Sequence, residues 1–203
     1  MVIGCLIVLV GILGWNGWQY FQAQKEEGVQ QEYAQASTPE QLRTFVEAHA
    51  GHSLAGVAEL RLADGAYQAG QNADALTAYE RAESLLKTGV LAARAQLGAA
   101  MVKLQTGQTA DGVAALRQLA DDTKGFANIR AEATFHLASL AAEAGRADET
   151  RQLSTQLMQI DPSSPWTQRA FALQEKLPPP TAPALLPPGA LAAPGGIVLP
   201  NGK

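Results

Sequence analysis

The feature that most constrains the fold is a glycine that returns at a nearly fixed interval: Gly70, Gly107 and Gly145, separated by 37 and 38 residues. Around the first, the stretch 58–82 (AELRLADGAYQAGQNADALTAYERA) sets Leu62, Ala63, Tyr67, Gly70, Ala75, Tyr79 and Ala82 at the spacing of a helix–turn–helix unit. Two antiparallel helices approach closely only where alanine replaces larger side chains, and a glycine ends the first of them in a left-handed conformation at little cost. Tyr67 and Tyr79 then fill the space beside those alanines. One such unit cannot bury its own apolar face, so recurrence is what makes the pattern foldable. Around Gly145 the match includes Leu137 and Ala138 and closes on Ile160-Asp161-Pro162. The middle unit departs most, with Gly112 where the second helix would carry alanine.

Periodicity predicts helices over 54–69, 72–87, 90–106, 109–122, 128–144 and 147–160. A helix over 38–50 precedes them: Thr38 caps it, Pro39 suits its first position, and Gln41 reaches back to complete a capping box. Its face of Leu42, Phe45, Val46 and His49 packs on the first unit. Ser164-Pro165 begins a last helix, whose stripe of Trp166, Ala170, Leu173 and Leu177 seals the final unit. The repeat domain is thus placed at 38–177, preceded at 25–37 by a linker or a helix extension.

Residues 1–24 read as a transmembrane anchor. No charge occurs from Met1 to Gly14, and Trp15, Trp18, Tyr20 and Phe21 cluster at the far end as side chains do at a headgroup boundary. About 20 helical residues span a hydrocarbon core of about 30 Å. A cleaved signal peptide is disfavoured by the lack of a basic start and of a small-residue site. Cys5 closes a Val2-Ile3-Gly4-Cys5 sequence similar to a lipoprotein box, but one residue precedes it, so a small residue within a membrane helix is the plainer reading. The N-terminal side carries no lysine or arginine, which leaves orientation open on charge alone. At the other end, 178–203 holds eight of the 11 prolines and a single charge, Lys203, as expected of a disordered, Pro-rich tail.

Composition argues against several functions. With 15 basic and 19 acidic residues and a net charge of −4, the chain has no basic footprint for nucleic acid. One cysteine excludes an intramolecular disulfide and a thiolate cluster. His49 and His52 stand near a helix end and His136 alone, without a further ligand at metal spacing. No phosphate loop, nucleophile elbow or HExxH helix is present. No enzyme, cofactor or metal is expected, and what remains is surface. Superposing the three glycine registers puts Leu60, Asp64 and Tyr67, then Leu97, Met101 and Leu104, then Phe135 and Ser139 on one side of successive first helices. That side is a candidate groove for unstructured or amphipathic peptide segments, the alternative being a face packed between helices or covered by the helix at 38–50, since periodicity does not separate the two.

Gly17-Trp18-Gln19-Tyr20-Phe21 at the anchor exit, the helix-forming segment 42–50, Leu60-Arg61-Leu62-Ala63 with Gly70 and Ala75, and Asp161-Pro162-Ser163-Ser164-Pro165-Trp166 carry a resemblance. Over 1–177 the chain resembles the YfgM-type tetratricopeptide-like proteins of bacterial envelopes. The expected fold is all-α, a tetratricopeptide-like helical solenoid after an N-terminal transmembrane helix. The resemblance implies a single-pass inner-membrane protein with its repeats in the periplasm. It also implies an ancillary role at the Sec translocon, beside a membrane-anchored periplasmic chaperone, and it supplies no catalytic residue. The alternative expectation is an envelope assembly scaffold that binds a folded partner through repeats or tail.

Overall fold

Three turns of one construction organise the chain. The computed structural model describes residues 24–177, and the apolar run at 1–23 and the Pro-rich segment 178–203, with the anchor and tail expected there, lie outside the described residues. The regular structure among the described residues is all helical, without strands, and no helix among them is long and apolar enough to cross a membrane. A first helix, α1, occupies 24–35. It is followed by α2 (Pro39–Ala48), α3 (Ser53–Gln68), α4 (Asn72–Leu86), α5 (Val90–Gln105), α6 (Thr109–Asp121), α7 (Ala127–Glu143), α8 (Ala147–Ile160) and α9 (Pro165–Gln174).

The helices begin and end where local chemistry directs. Thr38 and Gln41 form the reciprocal capping box, and the Ser164 hydroxyl accepts from the Trp166 amide. α2 stops at Ala48 because His49 leaves the helical region, at φ −124° and ψ 37°. The α3, α5 and α7 helices close alike. Gly70, Gly107 and Gly145 stand at φ 72°, 82° and 70°. In each case the amide of the following residue reaches back five positions, Gln71 to Ala66, Gln108 to Lys103 and Arg146 to Ala141, at 2.8–2.9 Å. This left-handed closure satisfies helix-end carbonyls and reverses the chain into the second helix.

Packing is between neighbours in sequence, as in a solenoid. One core joins α3, α4 and α5 through Leu60, Ala63, Ala75, Tyr79, Ala82 and Val102. A second joins α5, α6 and α7 through Leu97, Leu116, Ala120, Ile129 and Leu137. Gly112, the apparent weakness of the middle unit, has a packing reason: a Cβ there would sit 2.7 Å from Leu104 Cγ and Cδ2. Leu104 fills the space that alanine takes in the first unit. In the third unit, buried Thr134, Thr150 and Ser154 return their hydroxyls to the carbonyls of Arg130, Arg146 and Thr150 at 2.8–3.0 Å. Such pairing makes polar side chains tolerable inside.

The stack has a direction of curvature. The backbones of α3 and α5 and of α5 and α7 come close, whereas those of α4, α6 and α8 stay apart, with α6 and α8 bridged by long side chains, Arg117 to Glu149 at 3.6 Å. First helices are therefore closer together than second helices, so the concave side is theirs. At the N-terminal end α1 is tied down rather than trailing. His49 Nε2 lies 2.7 Å from Glu32 and His52 Nε2 3.0 Å from Glu26. Because His52 Nδ1 accepts the Leu54 amide at 3.1 Å, its proton is on Nε2, which donates to Glu26. Tyr33 packs on Phe45 with ring centroids 5.5 Å apart, and the Arg61 guanidinium donates to the Ala36 carbonyl at 3.3 Å.

Candidate functional site

The concave side carries a rail of charge that spans three units. Arg94, in the first turns of α5, is its centre. Its Nη2 stands 3.8 Å from Asp64 Oδ1 of α3, and its Nη1 3.3 Å from Glu132 Oε1 of α7. Tyr79 of α4 donates its hydroxyl to the same Asp64 oxygen at 2.5 Å. Asp64 and Arg94 side chains stay 36% and 41% exposed, and Glu132 only 20%.

Those environments move the titrations in predictable directions. Burial raises the Glu132 carboxyl above its ordinary value, and Arg94 opposes the rise. Burial raises the Tyr79 hydroxyl too, reinforced by its hydrogen bond to Asp64. One turn on from Glu132, His136 is depressed, first by burial and then by the Arg94 and Arg169 guanidiniums. It is therefore a neutral ring at neutral pH.

An aromatic cluster closes the C-terminal end of the rail. Phe135 and His136 meet Trp166 of α9 with ring centroids 5.3 and 5.7 Å apart, and the Arg169 guanidinium lies 4.6 Å from the Trp166 ring centroid. Amphipathic rings and a stacked guanidinium give this end both apolar and polar character.

The residues singled out from periodicity divide between this surface and the interior. Leu60 and Leu97 are 5% and 0% exposed and belong to the first and second cores, so they lie in the interior. Leu104 is half-buried and turned onto Gly112, and Tyr67 packs partly on the first core. Met101, Ser139 and Phe135 are half-buried along the same side. Asp64 alone of the set enters the charged rail. Arg94, Glu132, Trp166 and Arg169 were not legible as groove residues, although a signal existed. Arg94 and Glu132 each stand 13 residues before their turn glycine, so equal register puts opposite charges on adjacent first helices. His49 and His52 pair with separate glutamates, and no group of three or more His, Cys, Asp or Glu side chains suited to a metal occurs among the described residues.

Helix pairs stacked with a shared inner face define an α-solenoid of the protein-interaction type. The chain belongs to the tetratricopeptide repeat-like domain family, whose model matches residues 1–164. That match covers the three units and stops just short of α9. No curated protein and no solved structure matches the chain.

Proposed function

We propose that the protein is a non-enzymatic, membrane-anchored interaction module of the bacterial envelope. In this reading it serves as an ancillary subunit of the Sec translocon, and its concave side receives extended segments of exported proteins beside a membrane-anchored periplasmic chaperone. The observation that carries the binding role is the continuous inner face from Asp64 through Arg94 and Glu132 to Trp166. Such repeat folds use the inner faces of their first helices for partners, and half-exposed charges beside aromatic rings suit an extended chain. The anchor rests on the apolar run at 1–24 with its aromatic end, and the translocon role on the family resemblance.

The test is purification of the full-length protein from native membranes in mild detergent, with mass spectrometry of everything that co-elutes. Translocon subunits and a periplasmic chaperone are the expected companions. A different stoichiometric envelope protein, with translocon absent, would instead establish the assembly scaffold. Changing Tyr67, half-buried beside the first core, to Glu should cut client recovery, and a variant that circular dichroism shows folded yet with undiminished recovery removes the groove from the reading.

A further inference from the structure

α2 and α4 both pack on α3, and between them opens a cleft of about 370 Å³. Glu59, Leu62 and Ala66, at i, i+3 and i+7, form the α3 stripe that lines it, distinct from the stripe of Leu60, Asp64 and Tyr67. The side chain of Glu59 is 5% exposed, and its one ion-pair partner among the described residues is Arg81, at 3.6 Å and itself 66% exposed. At that separation the solvent-facing Arg81 guanidinium opposes the cost of burying the Glu59 carboxylate without cancelling it. Burial accordingly pushes the Glu59 carboxyl upward.

The repeat architecture does not require this. At the same register the second unit has Gln96, which donates to Glu83 at 2.9 Å, and the third has Thr134, which donates to Arg130 O at 2.8 Å. Only the first unit places an under-paired carboxylate there, and it opens into a cleft. Glu47 and Asp74 add two acidic groups to the lining, against Arg43 and Arg81, and Val46 and Leu62 supply apolar wall.

We propose that this cleft binds a basic side chain, lysine or arginine, of a partner polypeptide, with the Glu59 carboxylate accepting the cationic head and Val46, Leu62 and Ala66 receiving the aliphatic stem. Long basic side chains combine these two surfaces, an apolar stem under a charged tip. The site is separate from the concave rail and does not depend on its role.

The experiment is an amide NMR titration of the full-length protein with a blocked Ala-Ala-Lys-Ala-Ala peptide and its norleucine counterpart. The lysine peptide should shift the Glu59, Leu62 and Thr77 amides saturably, binding about tenfold more tightly than norleucine. Glu59→Gln should abolish the difference between the peptides while leaving the thermal midpoint unchanged or raised. Arg81→Gln, at an exposed position, removes the competing guanidinium and should tighten lysine binding severalfold. Equal response to both peptides, no response, lysine preference surviving in Glu59→Gln, or weaker binding in Arg81→Gln would each overturn the assignment.

Discussion

The ring of Tyr79 occupies the space that the missing side chain of Gly98 leaves open: a Cβ on that glycine would lie 2.3 Å from Tyr79 Cε1 and Cζ. A glycine inside a helix costs about 1 kcal/mol relative to alanine, and here the cost is offset by a fully buried ring between α4 and α5. Gly98→Ala should therefore destabilise, by about 1–3 kcal/mol, despite its better helix propensity. Urea unfolding reads this as a lower midpoint at constant slope. A Gly98→Ala variant as stable as the parent would show that the units can slide apart without loss.

Tyr79→Phe keeps that ring and deletes only the bond to Asp64. The expected loss is about 1–2 kcal/mol, because Asp64 keeps a distant partner in Arg94. In an Asp64→Ala background the same change should cost little, and additive losses in the cycle would refute a direct coupling.

Arg94 and Glu132 join adjacent units through a half-buried contact. Arg94→Met leaves the Glu132 carboxylate without its close cation and should cost more than the double change Arg94→Met with Glu132→Gln. A coupling of about 1 kcal/mol is expected from the cycle, and a value indistinguishable from zero would reduce the rail to a surface coincidence. The same Arg94→Met change should raise the Glu132 carboxyl further and relax the depression of His136, since Arg94 bears on both.

Acid should act on His136 and Glu132 with opposite signs. The His136 ring is depressed in the folded protein, so the unfolded chain takes up its proton first and stability falls as pH drops below about 6.5. The Glu132 carboxyl is raised, so the folded protein takes up its proton first, and acidification through that window is stabilising. His136→Gln removes only the first effect. The parent should lose more melting temperature than the variant between pH 7 and pH 5, by about 2–4 °C for each kcal/mol involved. Parallel pH profiles would exclude His136 as the source.

Much of the architecture was legible because its causes are local. A glycine in the left-handed region, a Thr38–Gln41 box and a Ser164 cap act within five residues of chain, and the observed helices start and stop within two or three residues of the predicted bounds. Over 25–37 the sequence is open between a linker and a helix extension, since the support for α1 comes from His49, His52 and Phe45, which lie well along the chain. Gly112 reads as a flaw in the sequence because the Leu104 side chain that fills its space comes from a different helix.

By itself, then, the sequence determined the repeat unit, its count and its turns, because hydrogen-bond closure and helical period are short-range. The tertiary structure alone decided which stripe faces inward. Leu60 and Asp64 lie one turn apart on α3, yet packing against α4 and α5 buries the leucine and leaves the carboxylate on the rail. A helical period says that two residues share a face, whereas the neighbouring helices decide whether that face is covered.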